Sequence, residues 1–411
     1  MVQSEQGVVR SVGSGVMSSV LSVIYRTLTL ISRGVIFAVS WLFPRNERLW
    51  VFMTGEGERF ADNSKYLYLH CEQKDTVRNV WIAASQDVVT ELRAEGYEAY
   101  TTTSIRGKLC MLRAGVFFET HGPIAPEYTG GARIVHLTHG NYLKTMLDDH
   151  VRDWPWIVDL AVELFFERNR QYVVTSDGPP AENMASMRGA PRDRMLVTGF
   201  PRNDALFGEI EGEHIGLNTN ALERVKSAAG RGPVLVYAPT HRTAYDEQNG
   251  TPLGDIDLGF EQVDEALIEQ DATLFVSPHP ATTIDQDFDE LDRIERLDTG
   301  GDLYPFLRNC DVLITDYSGI FYDFLLLDRP MIFYAPDLDE YLADRALYFE
   351  YTDHVPGEIA TDKHAFLSAT ETALSDGDVY GPKRDELTEQ FYADVDCGAS
   401  ERVYAEVHSQ S

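Results

Sequence analysis

The sequence predicts an α/β protein of two Rossmann-like domains facing each other across a cleft, the GT-B arrangement, preceded by an amphipathic apolar helix. Three observations carry this expectation. Beyond Pro44, short apolar runs alternate with amphipathic stretches, the pattern of parallel sheets covered by helices. A glycine-rich polar stretch, 208–232, interrupts the alternation once. The chain, at 411 residues, is also long for a single hydrophobic core. Strands are expected near Leu49–Met53, Val77–Ala83, Val116–Glu119, Arg133–Leu137, Gln171–Val174 and Met195–Val197, then near Val234–Tyr237, Thr273–Val276, Val312–Ile314 and Met331–Tyr334. Residues 45–207 then form the first domain, 208–232 a hinge around the helical run Ala221–Ala229, 233–380 the second domain, and 381–411 a closing helical segment.

The segment 1–44 has its own character. Val16–Phe43 is largely apolar, yet Gly15, Ser19, Ser22, Arg26, Thr29 and Arg33 recur every three or four residues and align as one polar stripe on a helix. Such a helix suits a membrane surface. A transmembrane span is the rival on length, since about 20 residues suffice to cross, but a central arginine costs roughly 2.5–3.5 kcal/mol. No small-residue cleavage site follows Phe43-Pro44-Arg45, which counts against a signal peptide. A helix packed on the protein itself is the remaining alternative. The expectation is docking from the cytoplasmic face of the cell membrane, with Arg10, Arg26, Arg33, Arg45 and Arg48 toward anionic headgroups.

Acidic residues number 66 against 35 basic ones, giving a net charge of −31, and only seven of the basic residues are lysine. Acid spread along the whole chain fits a solvated surface for high salt, as in halophiles. It excludes nucleic acid as a partner, because a phosphate backbone would be repelled. An anionic substrate must therefore meet a locally basic pocket. Cys71, Cys110, Cys310 and Cys397 lie far apart without metal-ligand spacing and read as reduced thiols.

The stretch Thr315-Asp316-Tyr317-Ser318-Gly319-Ile320-Phe321-Tyr322-Asp323-Phe324 places a small polar turn between an apolar strand and an apolar helix, Gly319–Leu327, capped by Ser318. Its free N–H groups suit a phosphate, although an ordinary capped helix has the same look. Further short motifs follow strands: His139-Gly140-Asn141-Tyr142-Leu143-Lys144, Thr198-Gly199-Phe200-Pro201-Arg202-Asn203-Asp204, Tyr237-Ala238-Pro239-Thr240-His241-Arg242 and Ser277-Pro278-His279-Pro280. With Phe60-Ala61-Asp62-Asn63 near the start and Pro330 to Asp337 near the end, this ordered set resembles the CDP-glycerol glycerophosphotransferase family, the teichoic-acid polymerases and primases, from about Trp50 to Tyr351.

The resemblance implies a GT-B transferase that takes its donor, CDP-glycerol or a related CDP-polyol, in the second domain. The acceptor, a hydroxyl of a lipid-linked or glycan chain, belongs to the first. Histidine titrates nearest neutrality, and the resemblance makes His139 the base that deprotonates the acceptor, with Gly140 leaving room beside it. It likewise assigns His279, held between two prolines, to the donor diphosphate. Arg242 and Arg202 offer forks for phosphate oxygens, although either could pair with surplus carboxylates. Thr240, Thr315, Ser318 and Gly319 complete the expected phosphate turn; Asp316 is expected to accept a donor hydroxyl or to bind a metal. Lys144 and Asp204 are placed on the acceptor side, and Asp323 is expected to point elsewhere, to a buried backbone group or Arg345. Asn141 and Gly319 depart from the family's usual threonine and second serine. No pair of acids suggests a metal site, no cofactor is expected, and any Mg²⁺ would arrive with the donor. A nucleotide-sugar transferase, a nucleotide-sugar 2-epimerase and a non-catalytic membrane partner are the alternatives.

Overall fold

A computed structural model describes residues 28–29, 31–55, 57–145, 167–240, 258–277, 288–375 and 377–410. Strands β1 (Asn46–Met53), β2 (Arg78–Ala83), β3 (Ala99–Thr101), β4 (Ala114–Glu119), β5 (Arg133–His136), β6 (Arg170–Val174) and β7 (Met195–Val197) form a seven-stranded sheet in the order β3-β2-β1-β4-β5-β6-β7. A second sheet, in the order β10-β9-β8-β11-β12-β13, holds β8 (Val234–Tyr237), β9 (Thr273–Val276), β10 (Ile294–Arg296), β11 (Val312–Thr315), β12 (Met331–Tyr334) and β13 (Glu358–Ala360). Every pairing is parallel. The central strands are continuous apolar runs because helices cover both of their faces.

All ten expected strands are present. The three not anticipated, β3, β10 and β13, are three of the four outermost strands, three residues each. Ala-Tyr-Thr, Ile-Glu-Arg and Glu-Ile-Ala carry too few apolar residues to declare themselves; the neighbouring ladder recruits them.

One face of the first sheet packs Trp50, Phe52, Trp81 and Phe118 against helix Asp62–Glu72 and helix Ala399–Ser409, whose Val403, Tyr404 and Val407 lie in the same cluster. Helix Ala399–Ser409 thus packs on the first sheet and not on the second. The segment read as a hinge carries helix Thr219–Ala229, whose Ala221, Leu222 and Val225 are buried under the second sheet. The helical run expected within that segment is thus present, and one side of it is packed. The two sheets are also tied directly: Lys65 Nζ meets Asp302 at 2.9 Å, both side chains almost fully buried, and the Thr145 and Tyr348 amides donate across the gap to Ala346 and Leu143.

Residues 31–42 are helical. Ile36 packs on the first domain, and Gly130 is so close that an added Cβ would lie 2.3 Å from Ser40 Oγ. Ile31, Val35, Val39 and Leu42 face outward, 43–85% exposed, so the helix is packed on one side and bare on the other. Among the described residues no helix is long and apolar enough to cross a membrane. Arg10 and Arg26 lie outside the described residues. Two of the expected headgroup arginines are engaged with protein: Arg33 pairs with Glu127 at 3.0 Å, and Arg45 donates to the carbonyls of Met111, Ala114, Ser40, Tyr128 and Gly130. Arg45 is a clamp for the loop before β5.

Candidate active site

A cleft of about 500 Å³ opens between the C-terminal ends of the two sheets, the position where open parallel sheets take ligands. Loops after β1, β5 and β7 supply Asp62, His139 and Arg202 from one side; those after β8 and β11 supply Thr240, Ser318 and Gly319 from the other. Lys144 lines it too, its ammonium 5.4 Å from the Tyr341 ring.

His139 is the most exposed of the central groups, its side chain 59% accessible. Its Nδ1 lies 2.5 Å from Asp62 Oδ2. Arg202 holds the other oxygen of that carboxylate through Nη1 at 2.8 Å and reaches Asp323 Oδ2 through Nη2 at 2.7 Å. Tyr304 and Tyr392 donate to Asp323 in turn. Burial would push the Asp62 carboxyl up, but Arg202 and His139 beside it hold it well below the usual carboxylate range. The chain of contacts therefore keeps a charged acid against Nδ1 of an exposed imidazole that lines the cleft.

The backbone is unusual on both sides of this pair. Asp62 has φ 63° and Thr138 has φ 56°, left-handed conformations that cost a β-branched residue in particular. Asn63 fixes both: its Nδ2 donates to the Leu137 and Thr138 carbonyls and its Oδ1 accepts from Arg202 N. Gly140, at φ 118°, is required for a reason other than ligand access. A Cβ there would sit 2.5 Å from Arg202 Nη2.

Several expected roles are corrected by this geometry. Arg202 lines the cleft and takes the second of its two expected roles, locked between the carboxylates of Asp62 and Asp323. Asp323 points to Arg202 and not to Arg345. Asp316 is 1% exposed, and its Oδ1 accepts from Thr240 N, Thr240 Oγ1 and Tyr317 N, which buckles the two donor-side loops together. Thr315 is fully buried, donating to the Ala238 carbonyl between β11 and β8. Asp204 caps helix Ala399–Ser409 through the amides of Ala399 and Ser400, away from the cleft. Helix Ile320–Phe324 starts one residue later than expected and is only five residues long, continued by a 3-10 turn; Ser318 Oγ still accepts from Ile320 N at 3.4 Å. Gly319 stands where a side chain would meet the Asn141 carbonyl at 2.6 Å, and Asn141 itself is bonded to Thr175. The two departures from the family pattern thus touch one another. Arg242 and His279 lie outside the described residues.

Asp62 and Asp323 were the residues whose roles the sequence hid. Asp62 belongs to the motif Phe60-Ala61-Asp62-Asn63, whose sequence names no partner for it because the groups that define its role are 77 and 140 positions away.

The family model described as CDP-glycerol:poly(glycerophosphate) glycerophosphotransferase matches residues 35–409. The chain belongs to that family. It is 26% identical over 370 residues to a teichoic acid glycerol-phosphate transferase of Staphylococcus aureus, covering 87% of this chain and 92% of that one. It is 29% identical to a teichoic acid ribitol-phosphate primase of Bacillus spizizenii over 57% of this chain and 58% of that one. Its fold resembles that of the wall teichoic acid polymerase TagF, with a TM-score of 0.71 at 18% identity over 94% of this chain and 95% of the other. As a glycerophosphotransferase family member the protein is a transferase with parallel α/β sheets.

Proposed function

We propose that the protein moves glycerol phosphate, or a related polyol phosphate, from CDP-glycerol to a hydroxyl of a lipid-linked or surface-polymer acceptor, with His139 as base and a GT-B division of labour between the domains. The His139–Asp62–Arg202 chain at the mouth of the interdomain cleft carries this reading. Asp62 fixes the imidazole by its Nδ1 and leaves Nε2 to take the acceptor's proton; the acceptor oxygen attacks the glycerol-bearing phosphorus as the bond to the CMP phosphate breaks. Phosphoryl transfer of this kind demands positioning and charge neutralisation more than covalent help. The backbone at Ser318 and Gly319 and the Lys144 ammonium are cleft groups suited to phosphate oxygens, and Arg242 and His279 follow β8 and β9 in chain order. In high salt, purified protein with a polyol acceptor is expected to release CMP from CDP-glycerol or CDP-ribitol and no nucleotide from sugar nucleotides. Release from a sugar nucleotide alone would move the protein to the rival class.

The acceptor side is proposed to meet the cytoplasmic face of an anionic membrane. Support comes from the bare stripe Ile31, Val35, Val39 and Leu42, and from an arginine-lined groove beside it. Arg133, Arg168, Arg170 and Arg194 line that groove together with Glu47 and Asp193, and its wall includes Gly131, against which Trp41 packs. Arg170 is buried against Glu119 and Glu167, so the exposed Arg168 is the groove residue best placed for an anionic headgroup. Because the inner face of the helix is packed, removing 1–44 would uncover Gly130 and its loop; changing the outer stripe is the cleaner test. Val35→Glu combined with Val39→Glu is expected to abolish flotation with phosphatidylglycerol vesicles and to leave turnover of a soluble acceptor analogue unchanged. Undiminished flotation would remove the membrane assignment.

A further inference from the structure

We propose that His121, His139 and Asp62 form a binding site for a transition-metal ion such as Zn²⁺, and that its occupancy switches the transferase off. The consequence for turnover rests on the reading of His139 as base; the binding itself does not.

The fold delivers the three ligands together. β1, β4 and β5 are adjacent and parallel, and each releases one of them from its C-terminal end: Asp62 after β1, His121 after β4 and His139 after β5. One ligand atom from each lies within 4.8 Å of the others, and the two imidazole rings are 4.3 Å apart between centroids at 45°. For bonds of about 2.1 Å in tetrahedral geometry, ligand atoms stand roughly 3.4 Å apart, so the cluster must contract modestly. Both histidines sit on exposed loop positions where a ring can turn.

The surroundings orient the ligands. Arg202 fixes one oxygen of Asp62 and leaves the other facing the histidines, while Glu119 accepts from Gly122 N and holds the loop that carries His121. Outer contacts of this kind set ligand direction in metal sites. Two imidazoles and one carboxylate, with a fourth position open to the cleft, are a donor set for Zn²⁺ or Co²⁺, whereas Mg²⁺ prefers oxygen ligands and retained water. A cation held by all three groups occupies the lone pairs that His139 and Asp62 otherwise share through a proton. The base is then unable to accept a proton from the acceptor. His121 takes no part in the transfer step, and it does not line the donor cleft.

Full-length protein stripped of metal is titrated with Zn²⁺ by calorimetry and with Co²⁺ in visible absorption, with Mg²⁺ in parallel. One saturable equivalent of Zn²⁺, a Co²⁺ ligand-field band displaced by Zn²⁺, and no comparable Mg²⁺ binding are expected. CMP release should fall at least about tenfold on loading and return with a chelator. His121→Ala should keep metal-free turnover, weaken Zn²⁺ binding at least about tenfold and escape inhibition. Absence of saturable Zn²⁺ binding, or His121→Ala binding Zn²⁺ as tightly as the parent chain, overturns the site. Tight Zn²⁺ binding that leaves turnover untouched overturns the switch. If no nucleotide is released from CDP-glycerol under any condition, calorimetry and Co²⁺ absorption still decide the metal site, separately from the proposed reaction.

Discussion

His139→Ala is expected to lower CMP release about 10²–10⁴-fold, the usual cost of losing a general base, with donor affinity nearly unchanged because the imidazole acts on the acceptor. Asp62→Asn should fall in the same range through kcat and not through KM. An amide keeps the volume and the contact but no longer stabilises the imidazolium that forms as the proton arrives. Asp62 is charged far into acid because Arg202 and His139 flank it, so protonation of this carboxylate does not set the acid limb of the rate profile. Steady-state kinetics over a pH series, with calorimetry of the donor, checks both variants. Turnover at the parent rate by His139→Ala would end its assignment as base, and a pure KM effect in Asp62→Asn would reduce that residue to a binding role.

Arg202→Ala is the second large effect, and it should appear in stability before activity. Asp62 and Asp323 would each lose their cation in a buried setting, where the Asp323 side chain is wholly inaccessible. Removing one partner of such a pair costs roughly 3–5 kcal/mol, well above an exposed ion pair at about 0–1 kcal/mol. The sign with pH follows from Asp62: its pKa in the folded state lies below the unfolded value of about 3.9. The pair therefore stabilises the fold at all pH above that value, and the contribution is lost as pH falls through the folded pKa. Denaturant titration at neutral pH should show the full deficit, narrowing in acid. Arg202→Lys is expected to recover only part, since one ammonium cannot bridge two carboxylates as the planar fork does. An alanine variant as stable as the parent would mean that the two acids find other partners.

Local pattern carried much of the architecture. Ten strands, their parallel arrangement and the loops after β5, β8 and β11 were legible, because burial on both faces writes strands as apolar runs and the cleft lies where those runs end. His139, Lys144, Thr240, Ser318 and Gly319 could be placed for the same reason. Thr315 and Asp204 stand in the expected loops but brace neighbouring elements, and Arg202 takes the carboxylate pairing that the sequence leaves open beside a phosphate contact. A polar residue at the end of a parallel strand can face the ligand or brace the neighbouring loop, and the two choices look identical in one dimension.

The sequence by itself determined ten of the thirteen described strands, the two-sheet plan, the acidic surface and the family's ordered motifs, since all of these are written in side-chain size, polarity and spacing along the chain. Only the tertiary structure decided that Asp62 orients His139, that Arg202 is held by Asp323, that His121 joins them, and that the last helix returns to the first domain. Those contacts span 18 to more than 300 positions. Their energies depend on burial and on charges converging from several strands, which no local pattern records.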